Sequence, residues 1–222
     1  MLLIILYYDI ILRENTGIKE FMENSIELLI TIFCAYIIGS IPTGYIIVKI
    51  FKDEDIRTIG SGSTGATNVK RVMGKKWFFI TLILDALKGA LPVISAAVFA
   101  NSFTEIGLLP VTAAVAVILG HSKSIFLNFT GGKSVASGVG TILALNWQAG
   151  LIIAIVWAFI TYFSKYVSLG SVIALALSPF IMYFIDGRSA YVVYCILGAL
   201  YIIYLHRENI KRLLQGVENK VR

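Results

Sequence analysis

From about residue 26 to about residue 205 the sequence is a succession of apolar runs, the longest of them of bilayer length. A hydrocarbon core about 30 Å thick needs ~20 apolar residues per helix and leaves no water to satisfy an unpaired backbone group. This repeat constrains the chain more than any other feature. Composition agrees with it: 58% of the 222 residues are hydrophobic and 14% are charged, too few to give a soluble domain its polar surface. The expected fold class is an all-α integral membrane protein.

The runs fall at about 26–50, 77–100, 106–120, 135–163, 172–185 and 190–205. Pro42 lacks an N–H and predicts a kink inside the first. The fourth is longer than one span needs, and "NWQ" at 146–148 divides it into two helices, the first of them short. The result is a seven-transmembrane-helix bundle with its ends on opposite sides. One set of loops carries Lys52, Arg57, Lys70, Arg71, Lys75, Lys76, Lys123, Lys133 and Lys165. The tail on the same side adds Arg207, Lys211, Arg212, Lys220 and Arg222, whereas the opposite loops, after the N-terminus, carry only Arg188. Cationic loops stay in the cytoplasm, which places the C-terminus inside and the N-terminus outside. Every polar, glycine-rich stretch then meets at the cytoplasmic face.

Residues 1–24 read as an N-terminal extension. An apolar run at 2–12 is interrupted by Asp9, a mixed-charge stretch follows, and no small-residue cleavage site marks a signal peptide. Met22 stands just before the first full span and is an alternative start, so the segment before it is expected to be dispensable. Residues 25–222 read as one membrane-embedded domain. Cys34 and Cys195 lie in apolar runs outside any C-x-x-C pair, and His121 and His206 are the only histidines, so no metal or cofactor is implied. No basic run interleaved with aromatics points to nucleic acid.

The polar stretches carry the chemistry. In "IRTIGSGSTGATNVKR", residues Gly60, Gly62 and Gly65 spell G-x-G-x-x-G, yet no βαβ unit surrounds them, which removes the dinucleotide reading. What survives is an anion cradle: glycine backbone N–H groups turned to one point, with Ser61, Ser63, Thr64, Thr67 and Asn68 as added donors and Arg71 as a two-oxygen fork. A flexible connecting loop is the plainer reading. "GGKS" forms a second cradle from Gly131, Gly132 and Lys133 at a helix start, without the first glycine of a P-loop. For Lys133 the plainer reading is a membrane anchor. Asp85 and Lys88 share a helix face inside the second span, as a packing ion pair or as a substrate contact. His121 reads as a hydrogen-bonded packing residue. His206 and Asn209 share a face beyond the last span. His206 there is a general base, a phosphate ligand or a plain interfacial histidine.

"GSIPTGYI", "DIRTIGSGSTGATNVKRVMGKK", "LDALKGALP", "LGH", "GGKSVASG", "YVSLGS" and "HRENIKRLLQGVE" occur in this order. Together they resemble the bacterial acyl-phosphate:glycerol-3-phosphate acyltransferases. The resemblance implies a multi-pass enzyme of the bacterial cell membrane, with its site facing the cytoplasm. It would move a fatty acyl group from acyl phosphate to the 1-hydroxyl of glycerol 3-phosphate. Lysophosphatidic acid and phosphate are the implied products, in phospholipid synthesis, with functional coupling to the enzyme that supplies the acyl phosphate. Carried over, Ser61, Gly62, Thr67, Asn68, Arg71, Gly131, Gly132 and Lys133 are phosphate-binding candidates. Lys133, Ser171, His206 and Asn209 are catalytic candidates. The third family motif falls on Ser168–Ser171. Two positions depart from the pattern: Ser63 stands for Asn and keeps a donor, and Ser134 stands for a glycine, where a Cβ would disturb a cradle that needed a positive φ. The base remains open between His206 and a substrate phosphate oxygen. The rival reading is a membrane transporter for a phosphorylated solute, disfavoured by the short, nearly uncharged outer loops.

Overall fold

The computed structural model describes residues 2–99 and 107–221, with side chains for Lys19 and for the described residues from 22 onward. The expected end of the second span at 100 and start of the third at 106 lie outside the described residues. So do the side chains of the apolar run at 2–12. Ten α-helices and no strand are found among the described residues.

Helix α1 (Leu2–Ser40) is followed by α2 (Thr43–Lys52). The expected kink at Pro42 is a short interruption of one apolar run. Pro42 sits at φ −88, ψ 74, an inverse γ-turn, and the Thr43 N–H donates to the Ile41 carbonyl at 3.0 Å. The polar stretch beyond is not all loop. Asp55 caps a 3-10 turn at Ile56–Thr58, and α3 (Ala66–Met73) runs until Gly74 at φ 88. Ile47, Val48, Ile56 and Val69 bury themselves together, with Trp77 and Ile80 packed against them, and so seat this stretch on the start of α4 (Lys75–Phe99).

After α5 (Leu108–Ser122), the division at Asn146 appears as expected: α6 (Val135–Leu145) ends there and its side chain caps α7 (Trp147–Ser164) by accepting from the Ala149 N–H at 2.9 Å. At 11 residues α6 rises about 16 Å, half a bilayer core. "SKYVSLGS" was expected as a loop, and this is corrected. Lys165 ends α7 in the left-handed conformation at φ 64, and α8 (Val167–Ile185) starts at once. Ser171 stays helical by donating to the Val167 carbonyl at 2.8 Å. Helix α9 (Ser189–Leu205) breaks at His206 into the short polar α10 (Arg207–Leu214), bent by 62°.

Among the described residues, four helical runs are long and apolar enough to cross a bilayer, and α9 with α10 makes a fifth if counted as one. The outward faces agree: Phe79, Ile83, Leu87, Leu91, Ile94 and Val98 make an exposed apolar stripe along α4. The protein is a multi-pass membrane protein. Inside, helices approach through small residues. A Cβ on Gly89 would strike the Ser137 backbone, and one on Gly140 the Ala86 backbone, so α4 and α6 touch main chain to main chain. This contact fixes the α6 start, and Lys133 before it, against α4.

Candidate active site

A cavity of about 560 Å³ opens where α4, α6 and α8 begin and where α5 and α9 end. The stretch at 60–71, the GGKS turn, the first turn of α8, the His206 break and the tail all contribute to its wall. Residues separated by more than a hundred positions in sequence therefore line one space. Ser61, Thr67, Asn68, Arg71, Lys133, Ser171, His206 and Asn209 are all among them. Gly62, Gly131 and Gly132 are not.

The glycine-rich stretch is organised from within. Asn68 is 1% exposed; its Nδ2 donates to the carbonyls of Ile56 (3.2 Å), Ile59 (2.9 Å) and Ser63 (3.0 Å). Its Oδ1 accepts from the Ser61 N–H at 3.1 Å. Gly60 at φ 62 lies so close that a Cβ there would collide with Oδ1. The Gly62 N–H turns to the Ile59 carbonyl at 3.1 Å, and the Gly65 N–H to the Ser63 hydroxyl at 3.3 Å. The expected nest of backbone donors is thus corrected: these three N–H groups are spent on the loop itself. So is the Asn68 amide. What faces the cavity are side chains. The hydroxyls of Ser61 and Thr67 and the guanidinium of Arg71 have no hydrogen-bond partner among the described residues, and Thr67 sits in the first turn of α3, where the Asn68 and Val69 N–H groups already donate to the Gly65 carbonyl.

The second cradle is built around His121. The Gly132 N–H donates to the His121 carbonyl at 3.1 Å, and a Cβ on Gly132 would strike the His121 ring. Glycine is required there for close approach, so Gly131 and Gly132 shape the turn rather than line the cavity. His121 is buried as expected but not hydrogen-bonded: its Nδ1 lies 3.8 Å from Asp85 Oδ1 with no hydrogen-bond partner among the described residues, and it reaches the cavity wall. Asp85 pairs with Lys88 at 2.9 Å, and Lys88 Nζ donates to the Ile41 carbonyl at 2.7 Å. The buried pair therefore has a packing role: it caps the interruption at Pro42. The position does hold a positive φ: Ser134 adopts φ 58 with its Cβ in place, and its Oγ donates to the Ile118 carbonyl at 2.9 Å.

Lys133 Nζ donates to Asn209 Oδ1. Burial, joined by the charges of Arg212 and Arg71, pushes the Lys133 ammonium down to about 8, against an opposing pull from Glu218. His206 Nδ1 lies 2.8 Å from the Ile202 carbonyl. A carbonyl only accepts, so Nδ1 carries the proton and Nε2 keeps its lone pair. Burial pushes His206 down to about 4, which leaves the ring neutral. Ser171 Oγ accepts from Trp157 Nε1 at 3.2 Å while donating to Val167.

Sequence reasoning missed Glu218, Arg212, Trp157 and Arg207, all of which line the cavity. Glu218 accepts from Ser168, Asn209 and Arg212 together. Its only signal was the quoted "HRENIKRLLQGVE", which ends on it. Nothing local tells that a tail carboxylate turns back into the bundle.

Comparison with known proteins joins this arrangement to one group. The sequence model of the family "Glycerol-3-phosphate acyltransferase" matches residues 29–216. The glycerol-3-phosphate acyltransferase of Trichormus variabilis is 46% identical over 200 residues, covering 84% of this chain and 88% of the relative. That of Endomicrobium trichonymphae is 44% identical over 194 residues, covering 87% and 96%. Among solved structures, PlsY (YgiH), an integral membrane glycerol 3-phosphate acyltransferase, superposes in its glycerol 3-phosphate form with a TM-score of 0.82 at 36% identity, over 88% of this chain and 96% of that one. Its lysophosphatidic acid form gives 0.80 at 34%. The match takes in α2 to α10 and most of the cavity wall, with Glu218 and Asn219 just beyond it, and the chain belongs to the glycerol-3-phosphate acyltransferase family.

Proposed function

We propose that this protein acylates the 1-hydroxyl of glycerol 3-phosphate, with acyl phosphate as the donor. The carrying observation is one cavity that receives the partnerless Arg71 fork, the half-buried Lys133 ammonium and the Ser61 and Thr67 hydroxyls from separate polar stretches. Both substrates carry phosphate, and the cavity offers two kinds of cation. Arg71 suits a bidentate grip on phosphate oxygens, and Lys133 acts as a point charge.

Phosphate is a good leaving group, so no covalent enzyme intermediate is needed. The hydroxyl oxygen of glycerol 3-phosphate attacks the acyl carbonyl carbon, the bond from that carbon to the phosphate oxygen breaks, and phosphate departs with the proton. Lys133, steadied by Asn209, stabilises the charge that develops on the carbonyl and the leaving group. His206 near 4 is a weaker base than a phosphate oxygen, whose second pKa is about 6. The phosphate therefore takes the proton, and Nε2 of His206 orients the hydroxyl as an acceptor. Ser171, tied to Trp157 and Val167, supports the wall. Gly62, Gly131, Gly132 and Asn68 set the shape of the two cradles rather than bind phosphate.

We further infer a single domain over residues 25–222 with seven membrane-embedded helical runs, the N-terminus outside and the C-terminus cytoplasmic. The cationic loops at the cavity end support this orientation. The cavity then faces the cytoplasm of a bacterial cell, where both substrates are soluble or membrane-adsorbed. The deciding assay is phosphate release by protein purified in detergent. Release is expected only with acyl phosphate and glycerol 3-phosphate together, and not when acyl-coenzyme A replaces acyl phosphate. Equal rates from both donors would remove the donor assignment; binding of glycerol 3-phosphate without turnover would favour a transporter.

A further inference from the structure

The tail beyond α10 is tied back onto the bundle. The Val221 N–H donates to the Lys165 carbonyl at 2.8 Å, and Lys220 Nζ lies 5.5 Å from the centre of the Tyr166 ring. Both anchors sit at the turn between α7 and α8. Between α10 and these anchors, Glu218 turns inward with its side chain 5% exposed. Oε1 accepts from the Ser168 hydroxyl at 2.9 Å and from Asn209 Nδ2 at 2.7 Å, and Oε2 accepts from Arg212 Nε at 2.6 Å. The donors come from α8 and α10, so one carboxylate joins two elements through the tail.

This bonding decides the orientation of a carboxamide. A carboxylate only accepts, so the nitrogen end of Asn209 must face Glu218 and the oxygen end must face Lys133. Lys133 favours the same orientation, since the reverse would aim N–H donors at an ammonium, so Asn209 is held from both ends: its oxygen by Lys133 and its nitrogen by Glu218.

We propose that Glu218 is a positioning residue for acyl transfer: by anchoring the nitrogen end of Asn209 to the tail, it holds the oxygen end in place against the Lys133 ammonium at the cavity wall. This rests on the function proposed above. Glu218 itself touches no substrate in this scheme. It acts through Asn209 and through its charge.

The charged groups around Lys133 give the proposal its test. Arg71 faces it from α3, Arg212 from α10 and Glu218 from the tail, while His206 at the end of α9 is neutral. Asp85 and His121 line the α4 and α5 side of the cavity; Asp85 is paired with Lys88, and His121 Nδ1 lies 3.8 Å from Asp85 Oδ1. Arg71 and Arg212 lower the Lys133 pKa, and Glu218 raises it. Removing the Glu218 charge must therefore move the loss of the Lys133 proton to lower pH. Removing the Arg212 charge must move it to higher pH.

The experiment uses the full chain in detergent and measures kcat/KM for glycerol 3-phosphate, with a long-chain acyl phosphate, across neutral and alkaline pH. For Glu218→Gln the alkaline limb is expected about one unit lower, so kcat/KM on that limb falls about tenfold. For Arg212→Gln the limb is expected to move the opposite way. A tail that merely braces the fold would lower amplitude or thermal stability in both variants without shifts of opposite sign. Limbs that stay at the wild-type position in both variants overturn the proposal. If Glu218→Gln does not purify, Glu218→Asp decides: it keeps the charge but draws the carboxylate away from Asn209, so a lowered kcat/KM supports the proposal and a wild-type kcat/KM overturns it. Wild-type protein without turnover would overturn the function together with this role, whereas wild-type turnover with unmoved limbs overturns the role of Glu218 alone.

Discussion

Ser134 stands where the family pattern resembled by this sequence has glycine, and its conformation explains both residues. A side chain at φ 58 is strained by about 1 kcal/mol relative to glycine. The hydrogen bond from Oγ to the Ile118 carbonyl returns a similar amount, about 1 kcal/mol net. Ser134→Gly removes both terms and should leave the melting temperature in detergent nearly unchanged. Ser134→Ala keeps the strain and loses the bond, and should melt about 2–4 °C lower. An alanine variant as stable as wild type would show that the bond contributes nothing. Arg71 is the second single-residue case. Arg71→Lys keeps the charge but loses the fork, and should lower kcat/KM about tenfold to a hundredfold. Well-folded Arg71→Lys with wild-type kinetics would make Arg71 only a membrane anchor. The residue types at the cavity were legible because phosphate chemistry demands hydroxyls and cations. The division of labour was not. Asn68 looks like a ligand in sequence, and only its bonds to the Ile56, Ile59 and Ser63 carbonyls identify it as the keystone of the loop.

Helices were legible where apolar runs set them and obscure where polar residues did. The limits of α4 and α9 follow from their hydrophobic stretches, and the break at Asn146 from a polar residue able to cap the next helix. The start of α8 was missed because Ser168 and Ser171 read as loop residues, although one hydroxyl bonds within the helix and the other reaches Glu218. Helices α3 and α10 are eight residues each, and an amphipathic stretch that short carries little periodic signal. The Asp85–Lys88 pair operates at this scale, because it joins α4 to the interruption between α1 and α2. Lys88→Met leaves the Asp85 carboxylate buried beside His121 without a counter-charge and strips the Ile41 carbonyl of its Nζ donor. It should destabilise the protein by about 3–5 kcal/mol. Asp85→Asn combined with Lys88→Met removes both charges and should be clearly less damaging. The check is a comparison of unfolding midpoints in detergent. A double variant no more stable than Lys88→Met would mean that the charges are not paired energetically.

At the scale of the whole molecule, the asymmetry of charge from which the orientation is proposed also suits the proposed chemistry. Net charge is +6, and the cations gather at the end where the cavity opens. Both proposed substrates are anions, so the loops that hold the protein in the membrane also raise the local substrate concentration. The opposite end is nearly neutral. There Asn146 Nδ2 bonds Asp186 Oδ2 at 2.9 Å, and Arg188 lies 3.4 Å from the same carboxylate. Convergence of the polar stretches on one face was legible from this asymmetry, but the return of the tail to that face was not, because no local pattern encodes a contact between Glu218 and Ser168. The proposed orientation has a direct test. Cys34 and Cys195 are first replaced by alanine, since a free thiol would confuse labelling. Single cysteines are then introduced at two exposed positions, Gln215→Cys beyond α10 and Ser189→Cys at the start of α9. In intact cells a membrane-impermeant maleimide should label Ser189→Cys and spare Gln215→Cys until the membrane is permeabilised. The reverse pattern would place the cavity outside, away from any cytoplasmic acyl phosphate, and the donor assignment would fall with the topology. Labelling of both in intact cells would put the two ends of α9 on one side, and a span count that needs α9 to cross would be wrong.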